Sequence, residues 1–256
     1  MDLGLSGKTA LITGGSKGIG FGVAEAMMAE GVSVTLAARD QATLDDAVAK
    51  LGGDAKAVAI DLSVSGAAGA LLDQAGLPDI LVNNAGAIPG GDIEGVDEET
   101  WRTAWDLKVF GYINLCRAAY ARMKGKGGVI VNVTGLAADR TDFNYIAGTA
   151  GNASLNAFTK ALGSQSVEEG VRCLAVSPGA TATDRLVNLM KGRARDEKGD
   201  ESLWQSYLGG LPQGRAAEVK EVADVVTFMA SPRASWMSGV VINVDGGHGA
   251  RGSSFR

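Results

Sequence analysis

The chain has a single histidine, His248, and only two cysteines, Cys116 and Cys173, in 256 residues. No group of His, Cys and carboxylate stands at metal-ligand spacing, so a metal centre is not expected. The two cysteines lie in apolar surroundings and read as small buried hydrophobes of a reducing compartment, not as a disulfide framework. His248 follows Gly246-Gly247 in a glycine-rich tail and is assigned no role as a base. Basic residues are not in excess: 24 Lys and Arg against 29 Asp and Glu leave a net charge of −5. That argues against nucleic acid as a partner and leaves a small anionic ligand open. No apolar run reaches the roughly 18 residues of a membrane span. No basic stretch followed by an apolar core opens the chain, so the expectation is a soluble, cytoplasmic protein with no signal peptide. Internal repeats and linkers are also missing, and 46% apolar content is ample for one large α/β domain over residues 1–256.

What is present is organised around one stretch. The apolar run Thr9-Ala10-Leu11-Ile12 leads into Thr13-Gly14-Gly15-Ser16-Lys17-Gly18-Ile19-Gly20, which opens an amphipathic segment reaching about Glu30. Strand, glycine turn and helix in that order is the context in which a glycine cluster binds a nucleotide. Glycines let the backbone turn tightly and approach a pyrophosphate, and the helix aims its free N–H groups at the anion.

Further apolar, β-rich runs recur at 33–37, 56–60, 79–83, 129–134, 172–177 and 240–244, after a first strand at 8–13. Helical patterns fill the gaps at about 18–30, 41–51, 65–75, 97–123, 150–168 and 217–230. This alternation predicts a Rossmann-type doubly wound sheet of seven parallel strands with helices on both faces. Ligands bind such sheets outside the carboxyl ends of the strands. The stretch 184–214 reads as irregular, and its charged run from Lys191 to Lys198 is either a solvated helix face or part of a mobile lid. Trp204, Tyr207 and Leu208 are candidates for the apolar wall of that lid.

Five motifs in order resemble the short-chain dehydrogenase/reductase family over nearly the whole chain. They are Gly14-x3-Gly18-x-Gly20, Asp61-Leu62, Asn83-Asn84-Ala85-Gly86, Pro178-Gly179-Ala180-Thr181-Ala182-Thr183, and the closing segment from Gly239 to Gly247. The resemblance implies a dinucleotide held by Gly14, Ser16, Lys17, Gly18, Ile19 and Gly20, with Asp61 and Leu62 at the adenine. Asn84, Ala85 and Gly86 then pass the ribose, and Pro178, Gly179, Thr181 and Thr183 reach the nicotinamide side. Asn84 can instead tie the fourth strand to a neighbour, and Thr183 can cap the next helix. Family members that prefer NAD place an acidic residue at the end of the second strand. Here Ala38 stands there, followed by Arg39, with Lys17 in the adjoining turn. Two cations suit a 2′-phosphate, so NADP(H) is expected over NAD(H). A solvated pairing of Arg39 with Asp40 or Asp45 is the alternative.

The chain departs from the family where the chemistry sits. The usual serine, tyrosine, lysine and asparagine positions fall on Gly135, Gly148, Asn152 and Lys108. Tyr145 precedes the vacant tyrosine position by three residues and Asn152 by seven, a spacing similar to the enoyl-reductase branch of the superfamily. The implied catalytic set is Tyr145 on the proton side, Lys108 as the positive charge that lowers its pKa or orients a water, and Asn152 at the ribose, with Thr134 and Asn144 secondary. Two functions stay open: an oxidoreductase acting on a small carbonyl, alcohol or enoyl substrate, or a catalytically inactive dinucleotide-binding sensor or scaffold. Arg140 is a candidate for a substrate carboxylate or for a loop ion pair with Asp139 or Asp142. Small residues on the helix near 150–168 (Ala150, Gly151, Ala153, Ser154, Ala157 and Ala161) suit the family's helix-to-helix pairing, so a homodimer or homotetramer is expected.

Overall fold

The structure, a computed structural model, describes residues 1–251. Among them seven strands form one sheet: β1 (Thr9–Thr13), β2 (Ser33–Ala38), β3 (Lys56–Ala59), β4 (Ile80–Asn83), β5 (Gly128–Val133), β6 (Val171–Pro178) and β7 (Val241–Val244). Every pairing is parallel, in the spatial order β3-β2-β1-β4-β5-β6-β7. β4 and β6 are buried along their whole length, as strands covered on both faces must be. Side-chain alternation splits the core. Ile12, Val34 and Leu36 face one way and meet Met27, Val222 and Val226 of the helices there. Leu11, Leu81 and Ile130 face the other way and meet Leu71, Leu115 and Cys116. Both cysteines are free and buried, and burial pushes the Cys116 thiol up to about 12, which leaves it unreactive.

Eight α-helices are described: α1 (Gly18–Ala29), α2 (Gln41–Leu51), α3 (Ala67–Ala75), α4 (Glu98–Trp105), α5 (Gly111–Met123), α6 (Ile146–Ser166), α7 (Asp184–Lys198) and α8 (Val219–Ala230). Their starts are chemically marked. Asp40 accepts from the Thr43 N–H at 2.7 Å, Asp97 from Thr100 at 2.7 Å, and Glu218 and Glu221 close a capping box on α8.

Three elements differ from the sequence-based expectation. The region 184–214 is not irregular: α7 fills its first half and a 3-10 stretch, Glu201–Gly210, follows. Thr183 caps α7 by accepting from the Leu186 N–H at 3.4 Å, Asp184 stands in the first turn, and Arg195 and Lys198 stand in the last, matching the helix dipole. The charged run is therefore the solvated face of α7, with Arg193 bonded to Glu197 at 2.7 Å. Tyr207 is held on that face, its hydroxyl donating to Glu197 at 2.7 Å. Second, the long helix expected over 97–123 is interrupted by a π turn, Asp106–Phe110, which buries Lys108 and Val109. Third, α6 starts at Ile146 rather than near 150, and Tyr145 is its N-cap residue.

Candidate active site

The glycine turn lies at the switch point between β1 and β4, at the carboxyl edge of the sheet. Gly14 carries a φ of +62°, and a side chain there would meet Ala85 Cα at 2.9 Å. At Gly20 a side chain would collide with the Gly14 carbonyl. The turn is thus compressed against β4 until only backbone fits, with Ser16 and Lys17 at its outer side and Ile19 packing onto the core. Asn84 does what its two-sided amide allows: its Nδ2 donates to the carbonyls of Thr13 at 3.2 Å and Gly14 at 3.1 Å. The Thr13 hydroxyl accepts from both the Asn84 and Ala85 N–H groups at 3.0 Å. Thr183 comes in from the far side, its methyl 3.2 Å from where a Gly18 side chain would be.

Arg39 and Lys17 are both exposed and form no ion pair among the described residues. The expected competitors are engaged elsewhere: Asp40 caps α2, and Asp45 accepts from Gln41 at 2.7 Å. Asp61 accepts from the N–H and hydroxyl of Ser63 at 2.9 and 2.7 Å. Partial burial pushes its carboxyl up, but the Ser63 bonds and the Arg39 charge outweigh this and hold it low. Leu62 beside it is buried. Across the cleft, Pro178 ends β6, the Gly179 N–H bonds Val244 at 3.0 Å, and the Thr181 hydroxyl donates to the Gly179 carbonyl at 3.1 Å. A cradle of side-chain-free backbone, two unpaired cations and no acid at the end of β2 fit a dinucleotide carrying a 2′-phosphate.

The replaced positions are filled in space. A side chain built at Gly148 would run into the Tyr145 ring. The backbone holds that ring in place: Gly91 donates to the Asn144 carbonyl at 2.7 Å, and the Thr149 N–H reaches the Tyr145 carbonyl at 2.8 Å. Tyr145 packs with Ile88, Val96, Trp101 and Trp105. At Gly135 a side chain would lie 3.3 Å from both polar atoms of the Asn152 amide. Asn152 Nδ2 donates to the Gly148 carbonyl at 2.8 Å, and its buried Oδ1 has no partner. The aliphatic part of Lys108 lies against Gly86, within 2.8 Å of a side chain there. Its Nζ donates to the Val133 carbonyl at 2.9 Å and the Tyr112 hydroxyl at 3.1 Å, at the end of β5. Burial, helped by the Arg185 charge, pushes its ammonium down to about 7. Thr134 donates to the Val176 carbonyl at 3.3 Å.

Two details depart from expectation. Tyr145 is not lowered: burial pushes its phenol up, and the cation that pulls it back is Arg185, not Lys108. Arg140 pairs with neither Asp139 nor Asp142; it donates to the His248 carbonyl at 3.4 Å, while Asp139 accepts from Asn243 at 3.1 Å and Asp142 from the Asn144 N–H at 2.9 Å. Sequence reasoning missed Arg185 and Tyr112. Arg185 stands two residues beyond the Thr183 motif, and Tyr112 one helical turn after Lys108; those spacings were the available signals.

A doubly wound parallel sheet with a glycine cradle at its switch point and polar side chains at the β5 end defines a dinucleotide-binding protein of the oxidoreductase type. A model of the family described as enoyl-(acyl carrier protein) reductase matches residues 14–249. An uncharacterized oxidoreductase of Methylorubrum extorquens is 34% identical, over 95% of this chain and 98% of its own length. Galactitol 2-dehydrogenase (L-tagatose-forming) of Cereibacter sphaeroides is 33% identical, over 95% and 96%. The crystal structure of L-sorbose reductase from Gluconobacter frateurii, complexed with NADPH and L-sorbose, superposes with a TM-score of 0.88 at 30% identity, over 98% of this chain and all of that one. The chain belongs to the short-chain dehydrogenase/reductase family. Its relatives support a hydride-transferring oxidoreductase that binds NADP(H).

Proposed function

We propose that the protein is an NADP(H)-dependent oxidoreductase acting on a small carbonyl, alcohol or enoyl substrate through a relocated proton-transfer site. The observation that carries this reading is the Tyr145 ring standing in the space left by Gly148. A site that had merely lost its chemistry would have no reason to refill that space with a phenol and to bury an uncompensated lysine nearby. The nicotinamide supplies or accepts the hydride when bound. The glycine turn and the α1 N-terminus hold the pyrophosphate. Arg39 and Lys17 hold the 2′-phosphate. Asn152 offers its unpartnered Oδ1 to a ribose hydroxyl. Tyr145 stays protonated at neutral pH and donates to the substrate oxygen. Positive charge from Arg185 favours the phenolate as the proton leaves, and Lys108 places a second cation at the end of β5.

We also propose a homodimer or homotetramer. In support, the outer side of α6 carries Ala157 and Ala161 exposed and Ala150, Ala153 and Ser154 half-buried, all small enough for close helix approach. The functional reading is tested by following NADPH oxidation with a panel of ketones, quinones and enones, and by titrating both dinucleotides. The expected results are turnover of at least one compound and NADPH binding at least about tenfold tighter than NADH, a difference of about 1.4 kcal/mol. Tight dinucleotide binding with no turnover on any of them would favour a sensor or scaffold instead.

A further inference from the structure

We propose that the substrate carries a carboxylate close to its reacting carbon, and that Arg185 binds it and sets specificity for it. The inference rests on the oxidoreductase reading above and names the substrate class for that same site.

Arg185 is the second residue of α7. Its Nη2 donates to the Ile88 carbonyl at 2.9 Å, which ties α7 to the loop after β4. Ile88 packs with Tyr145, and its Cδ1 lies 2.9 Å from where a Gly151 side chain would begin on α6. The exposed guanidinium is thus tied by that bond to the loop that packs beside Tyr145. Its charge acts on both Tyr145 and Lys108. A guanidinium has five N–H donors in a planar fork, and one carbonyl leaves most of them free.

The charge balance of the site is the decisive point. Neither Arg185 nor Lys108 forms an ion pair with a carboxylate among the described residues. The carboxylates of Asp142, Asp139 and Glu197 make their contacts with the Asn144 N–H, with Asn243, and with Arg193 and Tyr207. Arg185, exposed beside the Tyr145 site, is therefore left with no carboxylate of the protein as an ion-pair partner among the described residues. A planar fork beside the proton-donating phenol matches a carboxylate, accepted side-on, a bond or two from the carbonyl. Short oxo acids and hydroxy acids have that shape; sugars and long neutral ketones do not. Arg140, the other basic residue near the β5 end, is turned away onto His248.

The test is calorimetric titration of the NADP-loaded protein with oxamate and acetoacetate, and with their uncharged counterparts oxamide and acetoacetamide. The expected result is saturable binding of at least one acid, at least about tenfold tighter than its amide. R185Q should weaken the acid by about tenfold to a hundredfold, the cost of losing a hydrogen bond to a charged group. R185K should fall between, and NADPH affinity, read by fluorescence, should stay within about threefold in both variants. Equal binding of acid and amide, no saturable binding of either acid, or an R185Q protein with unchanged acid affinity would each overturn the proposal. The parent reading fails separately, by absence of NADPH oxidation on both acids and neutral ketones; turnover of neutral ketones alone would keep that reading and sink this one.

Discussion

Lys108 carries the sharpest consequence at the scale of single residues. Its pKa of about 7 against an ordinary value of 10.5 means that it changes charge near neutrality. If its ammonium assists proton donation, NADPH-driven reduction should fall as pH rises through about 7, and the reverse oxidation should rise through the same point. K108M should remove that inflection from the kcat/KM profile; an inflection that survives would clear Lys108 of the role. The same shift affects stability. Between about 7 and 10.5 the unfolded chain holds a proton that the folded chain lacks, so stability rises with pH in that window. Residue identities near the motifs were legible, but directions were not. Tyr145 and Lys108 could be picked from spacing; that Arg185 and not Arg140 meets the loop beside Tyr145 depends on which loop meets which helix.

Among the elements, β1 to β7 were legible to within about a residue, because runs such as Ile80-Leu81-Val82 only make sense as strands covered on both faces. α7 was legible only as one of two readings of its charged run, because a helix that fully buries only Ala194 carries little apolar signal. The π turn at Lys108 leaves no mark in the sequence pattern, since one inserted residue shifts a helical face without breaking it. Arg172 shows how two elements are locked together. It is buried on β6 and donates to the carbonyls of Met229 at 2.9 Å, Ala230 at 3.2 Å and Ser231 at 3.1 Å, closing the C-terminus of α8. R172L leaves those acceptors unpaired and should cost about 2–4 kcal/mol in chemical denaturation, with NADPH affinity unchanged. A loss below about 0.5 kcal/mol would show that water replaces the guanidinium.

For the whole molecule, the assembly proposed above would cover the exposed small residues of α6 and exposed large apolar side chains such as Trp236 and Phe110. Light scattering should give two or four times the mass of one chain, and Ala157→Glu, placing charge on that face, should shift the population toward monomer. A monomeric wild-type protein would contradict the assembly. The broader logic we propose is a dinucleotide cradle of familiar form joined to a proton site of altered form. The cradle was legible from five motifs. The proton site was legible only as four replacements, because the sequence does not show that Tyr145 folds back over Gly148 or that Asn152 turns under Gly135.

The relocated phenol is the claim on which the account stands, and Tyr145→Phe tests it most directly. The substitution keeps the ring that fills the Gly148 space and deletes only the hydroxyl. With the best substrate from the panel, kcat should drop by about 10²–10⁴-fold while NADPH affinity holds. A drop of less than about threefold would contradict the account and move the proton chemistry to another group.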